Sequence, residues 1–439
     1  MRALKLKQAL EHLLFAGYLI LFAWLVTKIN FFKKSGLTAA QLVIIFLLKV
    51  MAGIFYGWIG VYYGNMAKMV DTWAFHYNSL PEAKLLLAHP TNYLAGLFQS
   101  NYSTGYSGFL GEEASWWNDL DINLFLKLMG IFNAASFGHY YINVIFYAFF
   151  TLFGPIALYR IFNHYFKGKQ VAVLLAVFFI PSFLYWTSGL HKEGLLFNSI
   201  ALIVYVFYFG LKEHRITWKR LLVAGVSMLI LLAFRNYILL VMIPALVAWL
   251  VAEKLYWKPI LSYSSIYLFF VVLFFAAPYI SPVLDFPAAV ANKQQQFLQL
   301  SGNSEVSVRP LQPTVSSFIV NAPQAINLSI IRPYFTDIRH LLSLAAAVEI
   351  NGLLLLFLMY LFWNRQKLHF TPFALFCLFF SLSLLLIIGY TVNFLGAIVR
   401  YRSIVLPLLF VPVIAFIPWN RIAQLVLNIN SKNDIYDSG

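Results

Sequence analysis

The chain has 439 residues, 61% of them hydrophobic and only 11% charged, with a formal net charge of +15. Soluble domains carry roughly a quarter of their residues as charges, so an ordinary soluble protein is excluded and the solvent is a bilayer. The basic excess is scattered over the flanks of apolar segments, not gathered on one polar face, which excludes a nucleic-acid partner and suits anionic membrane lipids.

Apolar stretches close to the ~20 residues that cross a bilayer occur at 8–27, 39–62, 139–161, 170–188, 193–211, 219–234, 236–252, 260–280, 341–363, 370–389 and 397–418. The expected fold is therefore all-α: a single polytopic transmembrane helical domain over 1–439 with ten or eleven spans. The first segment is basic and then apolar but lacks a small-residue cleavage pattern, so it reads as a retained helix, either spanning or lying along the surface. Five short connectors, KINFFKKSG, RIFNHYFKGKQ, LKEHRITWKR, EKLYWKP and WNRQKLH, are basic and belong on the cytoplasmic side. The same threading sends two long segments, 63–138 and 281–340, to the outer face. Within the first, NLFLKLMGIFNAA at 123–135 has helical apolar spacing behind Trp116 and Trp117, the pattern of a short interfacial helix.

Ten of the sixteen acids, among them Asp71, Glu112, Glu113, Asp121 and Glu193, fall on that outer side. Asp71 and His76 stand just beyond the second span. In PSFLYWTSGLHKEGL, Pro181 bends its helix, Gly189 ends it, and Lys192 with Glu193 opens the next one. As neighbours in sequence these two are expected either to neutralise each other or to serve a site. Arg235 occupies a turn, FRNY, between two apolar runs, and Arg332, Arg339, Arg400 and Arg402 join it on the outer side. Guanidinium groups hold phosphate through paired hydrogen bonds, so these arginines are candidate phosphate ligands. Walker A, GxGxxG, HExxH and CxxC patterns are missing, which leaves no sequence support for a nucleotide cofactor or a structural zinc. The single Cys377 sits in an apolar run as a core residue.

An outer segment opening with an Asp after an early span, the phrase PSFLYWTSGLHKEG and a late RYRSIVLPLLFVP together resemble the polytopic membrane glycosyltransferases of the C-type fold, including relatives of the bacterial protein O-mannosyltransferases. The resemblance implies a bacterial cytoplasmic-membrane enzyme whose site faces the periplasm or exterior. Its donor would be a sugar on a polyprenyl phosphate, and its acceptor a glycan or protein. It maps the family's acid, a catalytic base or metal ligand, onto Asp71. It also carries the Pro-Ser and Trp-x-Ser-Gly-x-x-Lys-Glu pattern onto Pro181, Ser182, Trp186, Ser188, Gly189, Lys192 and Glu193. The chain departs from the family in placing its acid after the second apolar segment and in lacking an adjacent second acid, which leaves a divalent metal open.

An inverting transfer needs a carboxylate to accept the acceptor's proton and cations to stabilise the departing phosphate. Asp71 is the expected base, with His76, Lys192, Glu193, Arg235, Arg332, Arg339, Arg400 and Arg402 as substrate-binding residues. Two other functions fit the same composition. One is a surface-polysaccharide polymerase or ligase, separated by its acceptor. The other is a transporter or flippase of a lipid-linked intermediate, which calls for more polar groups inside the spans than Lys49 and Glu349 supply.

Overall fold

The computed structural model describes residues 2–62, 71–100, 115–363, 370–417 and 419, and within these it is helical, with one isolated bridge between Glu305 and Phe394. Among the described residues, eight helices are long and apolar enough to cross a membrane, or ten if each of two bent pairs is one span. Those used below are α1 (Arg2–Lys28), α2 (Ala39–Tyr62), α3 (Asp71–Ala88), α4 (Trp116–Ser136), α5 (Tyr140–Thr151), α6 (Phe153–Tyr165), α7 (Gln170–Phe178), α8 (Pro181–Ser188) and α9 (Lys192–Lys212). They continue with α10 (Trp218–Lys254), α11 (Pro259–Ile280), α12 (Phe286–Leu298), α13 (Val315–Ile326), α14 (Leu341–Trp363), α15 (Pro372–Thr391), α16 (Leu395–Ser403) and α17 (Leu406–Phe416).

The expectation of ten or eleven spans turns on α10. Its 37 residues form one helical run, but Arg235 has φ −154° and ψ 81°, outside the helical region. A straight helix of that length would measure about 55 Å. Instead Arg220 reaches Glu213 at 2.6 Å and Glu253 lies 4.0 Å from Lys212, so both ends of α10 return to the same end of α9. Arg235 meets Glu193 at the other end of α9. The run is thus two antiparallel passes joined at Arg235, the turn that the FRNY interruption implies.

The first segment is also settled by its contacts. Glu11 pairs with His139 at 3.3 Å near the start of α5, while Phe31, just past α1, packs on Phe153 at the start of α6. Between them Tyr18 and Phe22 lean on Phe146. Helix α1 therefore runs the length of α5 and does not lie along the surface.

Close approach of α2 to α8 needs glycine: a Cβ on Gly53 would lie 2.5 Å from the Ser188 carbonyl oxygen. Lys49, one turn earlier, donates to the Thr187 carbonyl at 2.7 Å, a cation closing the C-terminal end of α8. Glu349 of α14 accepts from the Ser182 N–H at 2.5 Å and caps the opposite end. The two ionisable groups deepest in the spans are thus both tied to α8, the short helix that leads into His191, Lys192 and Glu193.

In their described residues, the two long segments 63–138 and 281–340 are more helical than their sequence suggests. The interfacial helix expected at 123–135 extends over Trp116–Ser136, and it pairs with a second helix, α3, through Lys127 and Glu82 at 2.6 Å. In the second segment α13 packs along α15, where Tyr390 donates to the Phe318 carbonyl at 2.8 Å. The strand-like residues 304–306 pair with 393–395, bringing this segment over the start of α16.

Candidate functional site

The break between α8 and α9 builds the centre of the site. Pro181 opens α8 at a 52° bend from α7, and after Ser188 the chain makes a tight bend, the His191 N–H donating to the Gly189 carbonyl at 2.7 Å, with His191 itself extended (φ −150°) before α9 begins. This places His191 and Glu193 inside the bundle, the carboxylate with no exposed surface. The α10 turn brings Arg235 to it, with Nη2 2.8 Å from Oε1. Helix α16 brings Arg400, with Nε 3.4 Å from the same oxygen. The other carboxylate oxygen, Oε2, faces Nδ1 of His191.

The second ring nitrogen of His191 reaches the first residue of α3. Its Nε2 lies 3.5 Å from Asp71 Oδ2, and Arg400 Nη1 is 3.2 Å from that oxygen and 3.4 Å from Nε2. Residues from two distant parts of the sequence therefore form one chain, Asp71–His191–Glu193, flanked by two guanidiniums. Beside it Lys192 pairs with Asp121 of α4 at 2.5 Å. Tyr401 lies under both arginines, 4.1 Å from Arg235 and 4.9 Å from Arg400.

The charges shape one another. His191 and then Arg400 stabilise the anion of Asp71 against the opposing effect of burial, holding its carboxyl at about 2. Burial raises Asp121 above the usual carboxylate range even though Lys192 opposes it. Nη1 of Arg235 and Oδ1 of Asp121 are buried and make no hydrogen bond among the described residues. On two cavity-lining residues, such atoms are open to water or to a bound ligand.

Asp71, Asp121, His191, Lys192, Arg235 and Arg400 line a cavity of about 2560 Å³. Its remaining walls are largely apolar, from α2 (Phe55), α8 (Leu184), α11 (Phe270, Phe274), α14 (Ala346) and α15 (Ile387). Pockets for drug-sized ligands occupy roughly 300–1,000 Å³. This one has room for a polar head and a length of hydrocarbon.

The structure brings Asp71, Lys192, Glu193, Arg235 and Arg400 together. Arg332 and Arg339 line the same cavity, but Arg332 is held by Asp337 in a bidentate pair at 2.7 and 3.0 Å, and Arg339 donates to the Asn303 carbonyl. Three expectations are corrected. Arg402 is fully buried and outside the lining of the cavity, donating to the carbonyls of Ser329 and Arg332, so it braces the segment 281–340. His76 lies roughly 140° round α3 from Asp71, buried against Trp73, Tyr140 and Asn143, and burial lowers its pKa to about 4. A third correction concerns Lys192 and Glu193, which do not neutralise each other: Lys192 faces Asp121, and Glu193 faces His191 and two arginines. Glu112 and Glu113 lie outside the described residues.

Sequence reasoning missed His191, which its phrase contains, and left Asp121 among undifferentiated outer acids. The available signal for His191 was its place between a helix-ending Gly189 and a helix-opening Lys-Glu. A divalent metal does not fit this constellation, because both oxygens of Glu193 are engaged and a cation there would face two guanidiniums. Among the described residues no group of three or more His, Cys, Asp or Glu side chains is arranged to hold an ion.

Comparisons with protein-family models, with curated proteins and with solved structures return no match. The fold and its apolar helices define a multi-pass helical membrane protein, and what it does rests on the site itself.

Proposed function

We propose that the chain is a membrane glycosyltransferase that moves a sugar from a polyprenyl-phosphate-linked donor to an acceptor hydroxyl, with Asp71 meeting that hydroxyl. The observation that carries the reading is the lining of the cavity: a largely apolar chamber also presents Arg235 and Arg400, with a carboxylate 3.2 Å from the second arginine. A lipid phosphate would place its tail along the apolar walls and its anion on the guanidiniums, whose N–H groups then meet charge developing on the leaving phosphate. Such a leaving group departs as a stable anion and needs no acid of its own. The reading includes the C-type glycosyltransferase resemblance, a bacterial cytoplasmic membrane, and an outward-facing site at the end of the bundle remote from the basic connectors.

Arg332 and Arg339 on the same cavity favour one variant, in which the acceptor is also lipid-linked and the enzyme is a polysaccharide polymerase or ligase. A transporter fits less well, since Lys49 and Glu349 are spent on the ends of α8. The test is transfer of radiolabelled sugar from a polyprenyl phosphate carrier in liposomes holding the protein. The reading expects transfer by wild type and a loss of at least about 100-fold in Asp71→Asn. Equal rates for the two proteins remove Asp71 from the chemistry.

A further inference from the structure

Asp71 can align a hydroxyl, yet its surroundings make it a poor place to leave a proton. Arg400 and, whenever Nε2 carries a proton, His191 stabilise its anion, and a carboxyl held at about 2 is far below the range in which a base is most effective at neutral pH. The proton needs another acceptor within reach. Nε2 of His191 is 3.5 Å from Asp71 Oδ2, and Nδ1 of the same ring faces the buried carboxylate of Glu193, itself held by Arg235 and Arg400.

The setting of Nε2 is unusual. It lies between a carboxylate, which when ionised can only accept, and the Arg400 guanidinium at 3.4 Å, which can only donate. Protonated, Nε2 donates to Asp71; unprotonated, it accepts from Arg400. The other nitrogen, Nδ1, lies between Oε2 of Glu193 and the Lys192 N–H at 2.9 Å, so it donates to the carboxylate when it carries the proton and accepts from the backbone when it does not. A carboxylate that fixes one imidazole nitrogen as the donor leaves the second as the base.

We propose that His191 is the proton acceptor of this site, with Asp71 aligning the acceptor hydroxyl and Glu193 acting as the positioning residue that holds Nδ1–H. The proposal rests on reading the site as one that transfers a sugar to a hydroxyl. In the step, the hydroxyl oxygen bonds to the anomeric carbon as its proton passes to Nε2. The bond from that carbon to the phosphate oxygen breaks, and its electron pair leaves on the lipid phosphate beside Arg235 and Arg400. The resulting imidazolium lies between two carboxylates, and its proton departs past Asp71, whose side chain is 57% exposed. The groups facing the ring are Asp71 from α3, Lys192 and Glu193 from its own helix, Arg400 from α16, the Phe75 ring at 5.7 Å, and Tyr147, whose hydroxyl donates to the His191 carbonyl. Arg235 and Asp121 stand behind Glu193 and Lys192.

Two measurements test this. In the liposome transfer assay, His191→Gly should lose on the order of 100-fold or more, and added imidazole should restore part of the rate. Glu193→Gln should displace the pH profile of kcat while leaving KM less affected. Failure of imidazole to rescue a folded His191→Gly protein, or a wild-type rate in that variant, overturns the proposal. Separately, nitrogen NMR of histidine-labelled wild type without substrate should show the neutral ring carrying its proton on Nδ1. A ring carrying it on Nε2 overturns the proposal whatever the enzyme transfers, whereas an inactive wild type with the Nδ1–H ring counts against the sugar-transfer reading and for the dyad.

Discussion

Glu193→Gln is the sharpest perturbation of this arrangement because it changes charge at nearly constant volume. The carboxylate has no exposed surface and is shared by Arg235 at 2.8 Å, Arg400 at 3.4 Å and His191. Removing one member of a buried ion pair costs about 3–5 kcal/mol, since the remaining charge stays desolvated without its partner. Here two guanidiniums lose their common counter-ion and only Asp71 remains near Arg400. The expected loss therefore lies toward the upper part of that range. The assay is unfolding in a fixed detergent mixture, run on Glu193→Gln, Arg235→Gln and the double variant. Because each single change strands the other's charge, the double variant should be more stable than the sum of the singles by about 1–3 kcal/mol. An unchanged stability in Glu193→Gln, or strict additivity, refutes the claim that this carboxylate neutralises the cluster.

Gly53→Ala places a methyl group 2.5 Å from the Ser188 carbonyl oxygen, so α2 and α8 must part; a stability loss of about 1–3 kcal/mol is expected, with a matching fall in sugar transfer because Asp71 and His191 follow those two helices. A fully stable, fully active variant contradicts the packing. His76, lowered by burial to about 4, takes a proton in the unfolded chain as pH falls below about 6.5 but not yet in the folded one. Stability should then drop by about 3 kcal/mol between pH 6.5 and pH 4, and His76→Asn should flatten that part of the curve. Parallel curves for the two proteins would contradict this.

The spans were legible because bilayer solvation demands long apolar runs, and even the reversal at Arg235 shows as an interruption too short for a domain. Side-chain direction was not legible in the same way. Lys192 and Glu193 look like a pair on paper, but adjacent helical residues point to different faces, and only the packing of α4 reveals Asp121 as the lysine's partner. Arg400 and Arg402 are two positions apart and so fall on nearly opposite sides of α16, one toward the cavity and one toward the carbonyls of Ser329 and Arg332. The same geometry separates His76 from Asp71. Helix α3 was missed because its sequence, DTWAFHYNSLPEAKLLLA, is mixed along every face, and its helical state depends on pairing with α4. His191 gained significance only when α3 and α16 closed around it from more than 100 residues away on either side.

The central claim is that the cavity reads a lipid phosphate through Arg235 and Arg400, and the most direct measurement is binding of polyprenyl phosphate against the uncharged polyprenol of the same length. Wild type should prefer the phosphate by about tenfold or more, a difference of about 1.4 kcal/mol, and Arg400→Gln should erase that preference while leaving polyprenol binding in place. Equal affinity of wild type for the phosphate and the alcohol would contradict the account.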